Sequence, residues 1–378
     1  MDLGVIRPGD ALIWGQACAE PQTLVEALIA QRAALSGCRV FLGSSYSGLL
    51  RPEHADHLRF SSYCGTGTNR ALGEAGVLDL LPVPYSQLGA LIRNRRLPCD
   101  VVLLQVSPPN ARGEYSLGLG VEYLAPALES ARAVVAEVND RVPWTFTHPL
   151  LKRADFDLLI ETSRPPVELT YGVLTDVEKQ IAQNAAGLVP EGATIECGIG
   201  ALPNAIVAAL QGRKLGYYSG VICDAARGLR LERCFGGALM GTRALFDWAD
   251  ENPGVRLGSS DETHGAAALA RIERFVAINA AVEVDFTGQV NAELARGSYV
   301  GAVGGALDFV RAANQSRGGL SIVALPAARI VERLSGPVSV PRSEAGVFVT
   351  EFGIADLRGC TLAERERRMR AITTPSVA

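Results

Sequence analysis

The chain has 378 residues and a mass of 40.0 kDa, enough for two domains with cores of their own. Its composition, 48% hydrophobic and 20% charged without an apolar run near the ~20 residues of a spanning helix, excludes a helical membrane protein. A formal net charge of −4 argues against a broadly basic nucleic-acid binder, and eight cysteines without a C-x-x-C pair read as buried small hydrophobes in a reducing compartment rather than as a zinc site.

The first element follows Asp10. Ala11-Leu-Ile-Trp14 reads as a buried strand, Gly15 to Pro21 as a turn, and Leu24, Val25 and Leu28 as the apolar stripe of a helix. Further β-type runs lie at 39–42, 77–83, 100–106 and 133–138, with helical patterns over 85–95 and 120–132. Continuous apolar strands alternating with helices predict mainly parallel sheets covered on both faces, the open α/β class. The loop from Ser107 to Gly118 leaves the strand that ends at Val106, the end where open α/β sheets place ligands; turn chemistry accounts equally well for Pro108, Pro109, Asn110 and Gly113.

Periodicity lapses around Ser163-Arg-Pro-Pro166, and Thr175-Asp-Val-Glu178 opens a long helix with a capping residue and early acids. This places a boundary between residues 1–170 and 171–378. The second half holds a strand, Thr194-Ile-Glu-Cys197, a turn at Gly198-Ile-Gly200, and a helix start with Pro203 followed by Ile206, Val207 and Leu210. The pattern from Pro203 to Leu210 matches that from Pro21 to Leu28, as two related halves or a chance recurrence of an amphipathic pattern would give. Unpaired N–H groups at such a helix start favour a phosphate or a developing oxyanion. Strands are also expected at 275–279, 282–286, 321–325 and 347–351, with a glycine loop, Gly301-Ala-Val-Gly-Gly305, between them.

Several segments together carry a family pattern: Gln105-Val-Ser-Pro-Pro109, Tyr115-Ser-Leu-Gly118, Cys197-Gly-Ile-Gly-Ala-Leu-Pro203, Gly241-Thr-Arg243, the run from Ala277 to Asn291, Gly304-Gly-Ala-Leu-Asp-Phe309 and the run from Val349 to Gly359. Nearly the whole chain thereby resembles the acetyl-CoA hydrolase/transferase family, the single-chain class I CoA-transferases that include 4-hydroxybutyrate and succinyl-CoA:acetate CoA-transferases. The resemblance implies two related open α/β domains of the CoA-transferase fold with the active site in the cleft between them. It implies that coenzyme A or an acyl-CoA enters as substrate, with no bound cofactor or metal, and lies against Gly198, Gly200, Ala201, Leu202, Pro203, Gly301, Gly304 and Gly305. A small carboxylic acid or other acyl acceptor and a homo-oligomer are implied as well. The first residues lack a basic segment followed by an apolar core, so a cytoplasmic protein is expected.

Family chemistry rests on a glutamate that attacks the thioester, giving an acyl-glutamyl anhydride and then a glutamyl-CoA thioester. That glutamate lies in a pattern like Leu-Gly-x-His-Thr-Glu-x-x-Ser-Asp. Here the equivalent stretch, Leu215-Gly-Tyr-Tyr-Ser-Gly-Val-Ile-Cys-Asp224, aligns without a gap and puts Gly220 where the glutamate belongs. The chain also looks shorter than its relatives between Asp224 and Gly241, and it lacks a lysine-containing loop after Leu325.

Three residues near the vacancy are candidates for a replacement. Cys223 would attack as a thiolate or sit inert in an apolar run; Asp224 would act as a general base or cap a turn; Glu196 would point into the site or end a strand. Ser219 has no visible histidine partner, and His148 and His264 have no relation that sequence reveals. Three functions stay open: hydrolysis or direct acyl transfer without a glutamyl intermediate, CoA transfer by a glutamate placed elsewhere, and a non-catalytic CoA-binding or partner-binding relative.

Overall fold

The computed structural model describes residues 2–373. Two sheets organise it. In the first, seven parallel strands run in the order Leu158–Thr162, Ala133–Asn139, Val101–Val106, Ala11–Trp14, Arg39–Leu42, Arg59–Ser62 and Leu78–Leu80. In the second, nine strands run in the order Gly353–Asp356, Val347–Thr350, Leu320–Ala324, Phe275–Ala280, Thr194–Cys197, Lys214–Tyr218, Arg230–Gly236, Val255–Leu257 and Phe146–Thr147, and only the first pair is antiparallel. Phe146–Thr147 comes from the first half of the sequence yet pairs with Val255–Leu257, so the two halves share a sheet edge.

Alternation explains the layering. Leu12 and Trp14 face Leu24 and Leu28 of the helix Gln22–Gln31, whereas Ile13 faces the opposite way. The cluster containing Ile13, Val102 and Leu104 continues without a break to Ile195, Ile206 and Ile278 of the second half. The apolar core therefore runs between the sheets. Seven of the eight cysteines are buried in these layers, and all eight are free.

Each sheet has its strand-turn-helix unit at a point where the strand order reverses. Ala11–Trp14 lies between Arg39–Leu42 and Val101–Val106, and Thr194–Cys197 lies between Lys214–Tyr218 and Phe275–Ala280. Chain connections leave to opposite sides at such points, opening a crevice at the carboxyl ends of the strands. Gln16 follows one of these strands and Gly198 the other.

Three elements differ from what the pattern predicts, and contact between the halves accounts for two of them. The helix expected over 120–132 begins only at Leu124, because the Val121 N–H donates to the Gly237 carbonyl and the Glu122 N–H to that of Gly258. The helix expected over 85–95 starts as a short 3₁₀ turn, Tyr85–Gln87, with the Tyr85 N–H held by the Gly304 carbonyl. Pro82 restricts the strand expected at 77–83 to Leu78–Leu80. The helix expected from Thr175 forms as Asp176–Ala186, with Thr175 Oγ1 accepting from the Glu178 N–H and the Glu178 carboxylate accepting from the Thr175 N–H. Among the described residues no helix is long and apolar enough to cross a membrane.

Candidate active site

The two strand-order reversals face one cavity of about 250 Å³. The first half contributes Gln16, Tyr63, Tyr85 and Glu122 to its lining; the second contributes Glu196, Gly198, Gly220, His264 and the loop from Val300 to Ala306.

Glu122 is the residue that the docking of the two halves creates. Its φ of +42° lies in the left-handed region, a conformation that costs a non-glycine residue about 1–3 kcal/mol unless the surroundings impose it. The surroundings are the Gly258 carbonyl, which accepts its N–H at 3.2 Å, and the Ser260 N–H, which donates to its carbonyl at 3.0 Å. One carboxylate oxygen, Oε1, accepts from Gln16 Nε2 at 2.7 Å and from the Tyr85 hydroxyl at 2.9 Å. Gln16 is oriented in turn by the Tyr63 hydroxyl and the Ser44 N–H, both donating to its Oε1. Among the described residues Oε2 of Glu122 has no partner. Burial pushes the Glu122 carboxyl up to about 7, with Tyr85 and Gln16 opposing the rise.

Glu196 approaches from the other side. Its Oε2 accepts from the Ile278 N–H at 3.1 Å and from Asn279 Nδ2 at 2.9 Å, while Oε1 has no partner among the described residues. Burial raises this carboxyl further, to about 8, against those two donors.

His264 lines the same cavity, its ring 4.5 Å from that of Tyr85 and 4.6 Å from that of Phe309. Burial holds the imidazole neutral by lowering it to about 3. Two glycines make room for the ring. A Cβ at Gly220 would come within 2.9 Å of His264 Cε1, and one at Gly305 within 2.5 Å of Nε2. With the imidazole wedged between Tyr85 and Phe309, neither position accepts a side chain without displacing it.

The residues singled out in the sequence are distributed unevenly around this centre. Gly198, Gly301, Gly304, Gly305, Gly220 and Glu196 line the cavity. Gly200, at φ +133°, precedes the helix Ala201–Ala208, whose first turn holds Ala201 and the buried Leu202 and Pro203 just outside the lining. Cys223 is buried outside the lining, 3.7 Å from the Tyr217 hydroxyl; a hydrogen bond from the Cys197 thiol holds it below the ordinary thiol value. Asp224 also lies outside, its carboxylate accepting from the Thr242 N–H and hydroxyl at 2.9 and 2.8 Å. Ser219 ties two strands by donating to the Cys197 carbonyl. His148 lines a separate cleft with Arg93 and Glu262. In the loop from Ser107 to Gly118, Asn110 Oδ1 accepts from the Arg112 and Glu114 N–H groups, the turn chemistry that the sequence allows. Gln16, Tyr85 and Glu122 escape sequence reasoning. The one signal for Gln16 was its place after the first strand, matching that of Gly198.

Comparison with known proteins agrees with this architecture. The model of the acetyl-CoA hydrolase/transferase N-terminal domain matches residues 3–159, and that of the C-terminal domain matches residues 241–378. The 4-hydroxybutyrate coenzyme A transferase of Clostridium kluyveri is 33% identical over 389 residues, covering 96% of this chain and 91% of that protein. Among solved structures, RipA from Yersinia pestis superposes with a TM-score of 0.93 at 28% identity, over 98% of this chain and 92% of that one. A 4-hydroxybutyrate CoA-transferase from Porphyromonas gingivalis superposes with a TM-score of 0.82, also at 28% identity, over 99% and 92% of the two chains.

Proposed function

Because the chain belongs to the acetyl-CoA hydrolase/transferase family, we propose that its cavity receives the thioester of an acyl-CoA and that an acceptor attacks the acyl carbon directly, with no glutamyl intermediate at position 220. Processing of acyl-CoA by hydrolysis or transfer is what the family description names, and the thioester enters as a substrate. The finer reading rests on one observation. Gly220, which the resemblance to the Leu-Gly-x-His-Thr-Glu pattern aligns with the family glutamate, abuts an imidazole that a side chain there would have to displace.

In this reading Glu122 is the general base. A carboxyl near 7 is half ionised at neutral pH and still basic enough to take a proton from an attacking hydroxyl, the match of pKa to task that general-base catalysis favours. As the acceptor oxygen bonds to the acyl carbon, its proton passes to Glu122 Oε2. Collapse of the tetrahedral intermediate breaks the C–S bond, and the departing CoA thiolate recovers the proton. The N–H groups of Gly198, Gly301 and Ala302 already donate to backbone carbonyls, so in this reading the oxyanion would be steadied by those of Ile199 and Gly305, cavity residues whose N–H groups have no acceptor among the described residues. Cys223 and Asp224 are the less favoured bases, since both are engaged outside the cavity.

A second reading keeps the transfer reaction and moves its nucleophile, because two glutamates other than a residue at 220 line the cavity. Borohydride added during turnover of an acyl-CoA, followed by peptide mass spectrometry, separates the two. We expect no reduced glutamate. A reduced Glu122 or Glu196 would replace direct attack with the anhydride route and name its nucleophile.

A further inference from the structure

We propose that this site is built to hold an attacking water, with His264 Nε2 and Glu122 Oε2 accepting its two hydrogens, and that it turns away the carboxylate acceptor of a CoA-transfer reaction. The inference rests on the reading of the cavity as an acyl-CoA site.

The tautomer of His264 follows from its neighbour. We assign the one proton of Thr263 Oγ1 to the Ser259 carbonyl, 3.0 Å away, so that towards His264 Nδ1, at 2.8 Å, the hydroxyl accepts. Nδ1 therefore carries the imidazole proton, and Nε2 presents a lone pair. Nε2 has no hydrogen-bond partner among the described residues, and His264 lines the cavity beside Gly220, the position that the sequence pattern aligns with the family's glutamate. The neutrality that burial imposes on the ring keeps this lone pair available.

Glu122 supplies the second acceptor. Its Oε1 is saturated by Gln16 and Tyr85, leaving Oε2, and Tyr85 touches both acceptor-bearing residues, its hydroxyl donating to Glu122 Oε1 and its ring tilted against that of His264 at 4.5 Å. Water offers two O–H groups to such a pair. A carboxylate offers none, and it would bring a second negative charge beside Glu122 in a cavity whose described lining includes no lysine or arginine. On attack, the water oxygen bonds to the acyl carbon and one proton moves to Glu122. The other stays on oxygen, hydrogen-bonded to His264, until the carboxylic acid product leaves with it.

The test is turnover of acetyl-CoA and butyryl-CoA in ¹⁸O-water, with and without millimolar acetate, butyrate or succinate. Free thiol, acid and any new acyl-CoA are read by mass spectrometry. We expect one solvent oxygen in the released acid and no new acyl-CoA. His264→Ala should lower kcat by about 10- to 100-fold at unchanged KM for the acyl-CoA. Thr263→Val, which leaves the ring in place but frees its tautomer, should cost several-fold. Acyl exchange onto the added carboxylate at a rate comparable to hydrolysis would overturn the inference, as would wild-type turnover by a folded His264→Ala protein. Exchange without borohydride-reducible glutamate would sink this inference alone, whereas a reduced glutamate would remove the reading beneath it. If the acyl-CoA is neither hydrolysed nor exchanged, both fail.

Discussion

Glu122 and Glu196 reach one cavity from opposite halves of the chain, and each has one oxygen saturated and one without a partner among the described residues, yet they are held there by different means. Glu196 belongs to a regular strand, and its saturated oxygen takes donors from the neighbouring strand, Ile278 and Asn279. Glu122 sits in a loop at left-handed φ and depends on two side chains, Gln16 and Tyr85, from two other segments of the first half. A position that the sheet provides at no conformational cost is weak evidence for a role. One maintained against a cost of about 1–3 kcal/mol, at the contact between two halves, calls for a function.

The largest expected effect separates them by activity. Glu122→Gln keeps the shape and an oxygen for Gln16 and Tyr85 but removes the base, and should lower kcat/KM by about 10²- to 10⁴-fold. Glu196→Gln should cost less than about tenfold by the same scale, since in this mechanism Glu196 moves no proton. Wild-type kcat/KM should rise with pH through about 7, as Glu122 loses its proton, and that limb should be absent from Glu122→Gln. Thiol release in a colorimetric assay measures all three. Should Glu196→Gln prove the dead variant, the comparison is reversed and the strand glutamate is the base.

A smaller effect should appear in stability, where the two acids behave alike. Both are raised in the folded state, to about 7 and about 8 from an ordinary 4.5, so the native protein binds more protons than the unfolded chain between those values. Their contribution is full below pH 4.5 and is lost as pH rises through 7 and 8, with a slope of up to about 1.4 kcal/mol per pH unit for each carboxyl. A glutamine stays neutral throughout. Both Gln variants should therefore melt above the wild type at pH 8.5 and lose that advantage at pH 5, by roughly 1–2 °C for each kcal/mol in a chain of this size. The gain should be larger for Glu196→Gln. Melting curves that run parallel to the wild type across this range would mean that the carboxylates are solvated in the native protein.

The same contrast marks how far the sequence could be read. Apolar strand runs, glycine turns and the Thr175 cap are local signals, and they located both strand-turn-helix units, the turn at Gly198 and the loop at Gly301. Glu196 was visible because it sits next to such a turn. Glu122 was not, since the segment before Leu124 looks helical until the Gly237 and Gly258 carbonyls draw it out as a bridge between the halves. His264 carried no meaning in sequence because what defines it is the space left by Gly220 and Gly305, positions 44 and 41 residues away along the chain. Local chemistry is written in residue order. A site assembled from many separate segments of two docked halves is not.

The smallest effect is also the most specific to Glu122. Tyr85→Phe removes one of the two donors to Oε1 while leaving the ring against His264, so packing and tautomer should survive. A hydrogen bond to a charged group contributes about 1.5–3 kcal/mol, and losing it from the ionised form should move the Glu122 limb of the pH profile upward by on the order of one pH unit. Activity on the alkaline plateau should change little. Tyr63→Phe acts one bond further away, through Gln16, and should displace the limb by less. A graded displacement, Tyr85 before Tyr63, ties the titrating group to Glu122. A uniform loss of rate with a stationary limb would assign the titration to another acid, and Glu196, whose donors neither change touches, would be the one to examine.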